Sequence, residues 1–171
     1  MCWISKEKPT AQIAESDITV CKLAVMHDDK ICSMFYHFQY ELNQTYKLDS
    51  QLTIREDDPD FYLDNKPRYA IDEGFHSWTK TPTILQTTPP DSDITIIKIK
   101  CTAGIYYCDD KHVVLICTIP QGSTYYVNNL GEYVSDTIKI NKAVPLDSVP
   151  LSSDLLHSNK YLSNNYISFG E

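Results

Sequence analysis

The chain has 171 residues, the length of one ordinary domain, and its 15 Lys and Arg residues against 23 Asp and Glu residues give a net charge of −8. This acidic balance argues against duplex nucleic acid or an anionic membrane as the main partner, because both bind through a cationic surface. Hydrophobic residues make up 42% of the chain, enough for a packed core, and no stretch approaches the ~20 apolar residues of a membrane span.

The first half of the chain predicts a lead-in segment followed by a β-hairpin. Residues 1–16 are polar and show no periodicity, so we expect a lead-in. The run 17–26 predicts a strong strand, 27–30 is an Asp-rich turn, and 31–42 predicts a second strand. Two apolar runs joined by four polar residues are typical of a hairpin.

The middle of the chain predicts short strands and long turns. Short strands are expected at 45–48 and 51–56, and the acidic stretch 55–68 predicts a solvated loop. The stretch 68–79 predicts a strand that ends at a glycine and a second short extended piece. We interpret 79–93, rich in Thr and Pro, as a loop with at most one helical turn.

The second half of the chain again predicts mostly strands. The run 94–101 predicts a strand, and from Ile97 onwards it alternates apolar residues with lysine, as a strand with one solvent-exposed face does. The runs 104–108 and 112–120 predict a hairpin whose second strand is buried, and 124–127 and 133–140 predict two further strands. Lysines on the 94–101 strand leave room for a small anionic ligand on an otherwise acidic chain.

The composition agrees with these elements. The chain has 17 Ile, 14 Thr and 12 Tyr against only six Ala, a mixture that suits pleated strands and disfavours helix. We therefore predict a mainly β fold, a single-domain antiparallel sandwich or small barrel-like sheet with little helix. The expected divisions are a lead-in at 1–16, a β-rich domain at 17–142 and a tail at 143–171 that packs as coil or a short helix, with one helical turn at 152–158.

Cysteine and histidine spacing bears on metals and on localisation. The first ten residues contain no apolar signal segment, and the six cysteines include no C-x-x-C pair. We expect a cytoplasmic protein whose cysteines pack as small apolar side chains, and no metal site, because the five histidines show neither H-x-H nor H-E-x-x-H spacing. With only five glycines no phosphate-binding loop can be drawn, so we expect no bound cofactor.

Cys2 is the candidate catalytic residue. If Met1 is removed, the α-amine of Cys2 can accept the proton of its own thiol, which is how N-terminal nucleophile enzymes work. Amidotransferases of that kind begin Met-Cys-Gly, and here Trp3 follows Cys2. The alternative is an inert thiol at the start of the chain.

Three aromatic side chains are candidates for ligand binding: His76, Trp78 and Tyr125. A histidine beside an indole, just after a strand-ending glycine, is suited to lining a ligand pocket. Neighbouring tyrosines on a strand point to opposite sides, so one of Tyr125 and Tyr126 can stack on a ligand while the other packs inward. The alternative for all three is ordinary packing of residues that favour strands.

The chain resembles an uncharacterised family of small proteins from gut bacteria and their phages. The resemblance rests on the Met-Cys start, DITVCKL near residue 20, EGFHSW at 73–78 and CTIPQGSTYYVNNLGEYVSDTIKI at 117–140, and it covers most of 1–140. Members have an aromatic residue where this chain has Cys21. The resemblance implies a phage or mobile-element accessory factor and no particular activity.

A second resemblance involves the GFH and IPxGxxYY strands, which are similar to those of ADP-ribosyltransferase-like domains. Such domains hold a nicotinamide dinucleotide between split sheets. The resemblance implies roles for His76 and Tyr125, with Glu132 as the late acidic residue.

We therefore expect a non-enzymatic binding or interaction protein that acts on a host protein or a small anionic ligand. Two other classes remain open. One is an enzyme, either an ADP-ribosyltransferase-like protein or an N-terminal-cysteine hydrolase, and the other is a virion structural component.

Overall fold

The computed structural model describes residues 3–34, 38–58, 66–79, 83–87, 96–101, 104–108 and 111–148. These residues form sixteen strands and one short 3₁₀ turn, Leu146–Ser148. The strands in the first half are β1 (Trp3–Ser5), β2 (Gln12–Ile13), β3 (Ile18–His27), β4 (Lys30–Ser33), β5 (Gln39–Tyr40), β6 (Thr45–Lys47), β7 (Arg55–Asp57), β8 (Arg68–Ile71) and β9 (Phe75–Trp78). Those in the second half are β10 (Thr83–Thr87), β11 (Ile96–Cys101), β12 (Gly104–Cys108), β13 (His112–Ile119), β14 (Thr124–Val127), β15 (Glu132–Ser135) and β16 (Thr137–Pro145).

The strands form one large sheet and two small ones. The large sheet has ten strands, in the order β2-β14-β15-β9-β3-β13-β16-β6, with β4 and β5 attached beside β3. The small sheets have the orders β1-β8-β7 and β10-β11-β12. Every ladder is antiparallel, so the prediction of a mainly β, antiparallel fold with little helix is confirmed for the part of the chain that the structure describes.

A corner at Asp136 curls the large sheet. β15 pairs with β14 and β9, whereas β16 follows after Asp136 and pairs with β13 and β6. These two consecutive strands therefore lie on opposite sides of β3 in the strand order. A strand that changes partners at a bend is how two parts of a sheet turn towards each other.

The curled sheet encloses the main core on what we call its inner face, the face that carries Val20 and Ala24 of β3. Tyr46 of β6 and Tyr125 of β14, from opposite ends of the strand order, both pack against this core. A second cluster lies on the other, outer face of β3 and includes Cys21, Leu23, Trp78, Val114 and Leu146. Strand β3 is therefore covered by side chains on both faces, which explains its nearly continuous apolar sequence.

The Asp-rich turn is confirmed. Asp28 and Asp29 have positive φ angles of 48° and 60°, and the flanking strands pair through Met26↔Ile31 and His27↔Lys30. Two successive residues of positive φ are the mark of a tight hairpin whose twist matches its strands.

Two expected elements are corrected. The loop expected at 79–93 contains β10, which pairs with β11 from Thr83↔Lys100 to Thr87↔Ile96. The hairpin expected from 104–108 and 112–120 is also wrong, because β12 pairs with β11 while β13 has β3 on one edge and β16 on the other. In both cases a partner distant in sequence decides the pairing, and local pattern does not encode it.

Strands also occur outside the limits expected for them. β1 and β2 lie within residues 1–16, and β16 continues to Pro145, three residues past 142. The helical turn expected at 152–158 lies outside the described residues. No helix in the described ranges is long and apolar enough to cross a membrane.

Candidate functional site

His76 and Trp78 lie on the same strand and point to the same side of the sheet. Trp78 is only 3% exposed and packs in the outer cluster, with Cys21 as its cross-strand partner. His76 is half-buried, and its Nε2 lies 3.4 Å from the backbone oxygen of Asp72. Trp78 is thus a core side chain, whereas His76 keeps some contact with solvent.

Tyr125 lies on the opposite face from His76. The register pairs Tyr126 with Val134 and Val134 with His76, so these three side chains share one face. Tyr125 is adjacent to Tyr126 on the strand, so its side chain points to the opposite face, where it packs against the inner core. The structure therefore brings His76 and Trp78 together and leaves Tyr125 apart from both.

The surroundings of Tyr125 are polar and open. Its hydroxyl donates a hydrogen bond to Gln12 Oε1 at 2.8 Å, and its ring centroid lies 5.5 Å from that of Tyr133. It borders a wide depression of about 580 Å³ whose other lining residues are Gln12, Ile13, Glu15, Ser16 and Ile18. These contacts hold the phenol against the edge strand β2.

The remaining candidates divide between described and undescribed residues. Cys2 lies outside the described residues, as do the side chains of Lys98 and Lys100 on β11. Glu132, the late acidic residue of the second resemblance, begins β15, where it is 7% exposed and accepts a hydrogen bond from Asn128 Nδ2 at 2.6 Å. Its carboxylate is thus engaged in the β14–β15 connection.

Another candidate site lies where the strand pairing along one edge of β3 is interrupted. One edge of β3 pairs with β13, and the other edge changes partners midway. Cys21 pairs with Trp78 of β9, whereas β4 takes over that edge from Ala24 onwards. Between these pairings Lys22 and Leu23 have no ladder partner on this edge, and we call this interruption of the ladder the β3 notch.

Lys22 points from the notch to the inner face, because it shares the parity of Val20 and Ala24. Its amine donates a hydrogen bond of 2.8 Å to the backbone oxygen of His76 and lies 5.9 Å from the centroid of the Tyr40 ring. The residue is half-buried while its amine is surrounded by protein atoms. Among the described residues no carboxylate forms an ion pair with this amine.

Burial dominates the electrostatics of this region. It lowers the pKa of the Lys22 amine to about 8, although the neighbouring Cys117 thiol raises that pKa. It also raises the pKa of Cys117 to about 12. Burial and then the charge of Lys22 lower the pKa of His76 to about 4, which keeps the imidazole neutral around pH 7.

Ser77 adds a second polar group on the inner face. It is 1% exposed, and its Oγ has no hydrogen-bond partner among the described residues. Its cross-strand partner Tyr133 packs against the inner core, and so does Phe75, two residues earlier on β9. Ser77 precedes Trp78 and Lys22 follows Cys21, so the two residues lie next to the single Cys21↔Trp78 pair on neighbouring strands.

Tyr40, the ring near Lys22, belongs to a group of four rings that we call the aromatic cluster: Phe38, Tyr40, Tyr46 and Phe75. The centroid of Phe38 lies 4.9 Å from that of Tyr40, 5.1 Å from Tyr46 and 6.3 Å from Phe75. Phe38 is 40% exposed, so the aromatic cluster reaches the protein surface at this ring. The notch therefore combines a cation, an unpaired hydroxyl and an aromatic wall.

Sequence reasoning missed Lys22, although a signal was present. Within ITVCKLAV the lysine has the same parity as Val20 and Ala24, which places it on a face that both of those residues bury. A lysine on such a face is unusual because a buried cation must lose its hydration. Ser77 and the ring neighbours become visible only once β9 and β5 are placed beside β3.

The described ranges hold no group of three His, Cys, Asp or Glu side chains arranged to bind a metal ion. Comparisons of the chain with protein-family models, curated proteins and solved structures found no match. The function is therefore inferred from the geometry of the site.

Proposed function

We propose that this is a binding protein for a small anionic ligand, which it holds at Lys22 in the β3 notch. The observation that carries the proposal is the enclosed Lys22 amine, which has no carboxylate partner among the described residues. A cation in such surroundings is costly unless an anion accompanies it. A ligand that brings its own negative charge removes that cost.

The net charge of −8 does not favour the approach of an anion over long distances. Binding must therefore come from short-range contacts at the notch, where Lys22 supplies the charge and the aromatic cluster excludes water. In such a site a hydrogen bond to a charged group is stronger than the same bond at the surface.

This proposal is preferred to ADP-ribosyl transfer because of how the side chains are distributed. Transfer at His76 and Tyr125 requires two groups that lie on opposite faces of the sheet. Lys22, Ser77 and the ring of Phe75 share one face instead.

Calorimetric titration with acetate, benzoate and inorganic phosphate tests the proposal. The matched variants are Lys22→Met and Lys139→Met, which change the net charge equally; Lys139 is an exposed residue of β16. We expect at least one anion to bind the wild type, Lys22→Met to weaken that binding about tenfold or more, and Lys139→Met to leave it unchanged. Affinity should also fall as the pH rises above about 8, because the free amine then loses its proton.

Two results would overturn the proposal. One is that none of the three anions binds the wild type. The other is that Lys22→Met and Lys139→Met bind the anion equally well.

A further inference from the structure

We infer that the ligand is an aromatic carboxylate, whose two oxygens accept hydrogen bonds from Lys22 Nζ and Ser77 Oγ while its ring packs against the aromatic cluster. This inference rests on the proposed function and adds the chemical class of the ligand. It also assigns Ser77 as a ligand-binding residue.

The first step concerns Ser77. A buried hydroxyl without a hydrogen-bond partner destabilises a folded protein, and alanine in its place removes that cost. Ser77 is 1% exposed and its Oγ is the one buried side-chain polar atom without a partner in the part of the chain that the structure describes. A ligand atom that accepts a hydrogen bond from this hydroxyl supplies the partner that the protein lacks.

The second step concerns the position of the two groups. Ser77 and Lys22 each lie one residue from the Cys21↔Trp78 pair on neighbouring strands, and the alternation of side chains places both on the inner side of the sheet. The Lys22 amine reaches the backbone oxygen of His76, the residue before Ser77, at 2.8 Å, so one bound group can contact both side chains. Both side chains have a proton to donate, so the group they bind in common is an acceptor.

The third step concerns charge. One ammonium group balances the single charge of a carboxylate, and two donors match its two oxygens. A phosphate brings a second charge and a third oxygen, and the single ammonium group of Lys22 balances only one of those charges. The site therefore favours a carboxylate over a phosphate.

The fourth step concerns the body of the ligand. Tyr40 lies under the Lys22 amine, and Phe38 links Tyr40 to Phe75 while remaining 40% exposed. Rings at these separations offer edges and faces to a further ring. A flat aromatic body bound beside Phe38 also covers apolar surface that is otherwise in water.

Calorimetric titration of the wild type with benzoate, acetate, benzamide and phosphate tests the ligand class. We expect benzoate to bind more tightly than acetate or phosphate, and benzamide, which has the same shape without the charge, not to bind. Phe38→Leu should reduce the preference for benzoate over acetate, since it keeps an apolar side chain but removes the ring.

Ser77→Ala tests the role of the hydroxyl, with Ser135→Ala as its matched control. Ser135 is fully buried and its Oγ donates a hydrogen bond to the backbone oxygen of Thr137 at 2.9 Å. Ser77→Ala should weaken benzoate binding about tenfold or more and should not lower the thermal midpoint of the free protein. Ser135→Ala should do the reverse, lowering the midpoint and leaving the affinity unchanged.

The possible failures are distinguishable. If benzoate binds Ser77→Ala as tightly as the wild type, or binds no better than phosphate, this inference is wrong while anion binding at Lys22 stands. If no anion binds the wild type, the proposed function is wrong and this inference falls with it.

Discussion

At the scale of single residues, the role of a side chain depends more on its surroundings than on its residue type. Lys22 is surrounded in sequence by apolar residues, and the structure places it on the face that carries the main apolar core. His76 was selected from the sequence as a polar group of a ligand pocket. In the structure its backbone oxygen holds the Lys22 amine, while its imidazole lies on the other face.

Gly74 gives a prediction at this scale, because its backbone and its surroundings both require glycine. Its φ is +122°, and an added Cβ would lie 2.5 Å from Val134 Cγ2 and 2.8 Å from Leu52 Cδ2. Gly122 also has a positive φ, +84°, but a Cβ there meets nothing within 4 Å. We expect Gly74→Ala to lower the free energy of unfolding by about 3 kcal/mol and Gly122→Ala by about 1 kcal/mol, since only the first adds overpacking to backbone strain.

Urea denaturation of the two variants and the wild type measures this difference. Equal losses of free energy for the two alanine variants would show that Val134 and Leu52 do not pack against Gly74 as described.

At the scale of elements, local pattern located strands better than it assigned their partners. Apolar runs predicted β3, β13 and β14 close to their observed ends. The same pattern placed β12 beside β13, although β3 and β16 occupy both edges of β13. Alternation identifies a strand and its two faces, but it does not say which other strand supplies the hydrogen bonds.

The corner at Asp136 gives a prediction at this scale. Asp136 Oδ1 accepts hydrogen bonds from the backbone N–H of Thr124 at 3.1 Å and from Thr137 Oγ1 at 2.8 Å. Asp136→Ala removes this acceptor and both hydrogen bonds, and should lower the free energy of unfolding by about 2 kcal/mol. Asp136→Asn keeps an oxygen in that position and should cost less than half as much.

Chemical denaturation of the two variants checks this prediction. A loss for Asp136→Asn as large as that for Asp136→Ala would mean that the carboxylate charge, and not the hydrogen bonds, stabilises the corner.

At the scale of the whole molecule, a half-buried neutral histidine makes stability depend on pH. The pKa of His76 is about 4 in the folded protein, below its ordinary value of 6.5, chiefly because of burial. The unfolded chain therefore binds a proton at a higher pH than the folded protein does. This contribution to stability is present above pH 6.5 and is lost as the pH falls from 6.5 to 4.

We expect the wild type to lose about 2 kcal/mol more stability than His76→Gln between pH 6.5 and pH 4, measured by urea unfolding at each pH. His27→Gln is the matched control, because the side chain of His27 is 61% exposed. Parallel pH profiles for the wild type and His76→Gln would contradict the prediction.

The candidate site also belongs to the whole molecule. Lys22 and Ser77 are 55 positions apart and Phe38 lies between them in sequence, so only the pairing of β3 with β9 and β4 makes them neighbours. No local pattern around any one of these residues contains that information. The prediction against large anionic partners came from net charge, whereas the position of Lys22 on the inner face emerged from the fold.

The amino-acid sequence by itself determined the class of the fold, because β-branched and aromatic residues in short alternating runs favour strands wherever they occur. It also determined the Asp28–Asp29 turn, whose geometry depends on adjacent residues. Only the tertiary structure decided which strands pair, where the sheet turns at Asp136 and that Lys22 shares a face with Ser77. The physical reason is range: backbone preference acts between neighbours in sequence, whereas pairing and burial depend on residues brought together from across the chain.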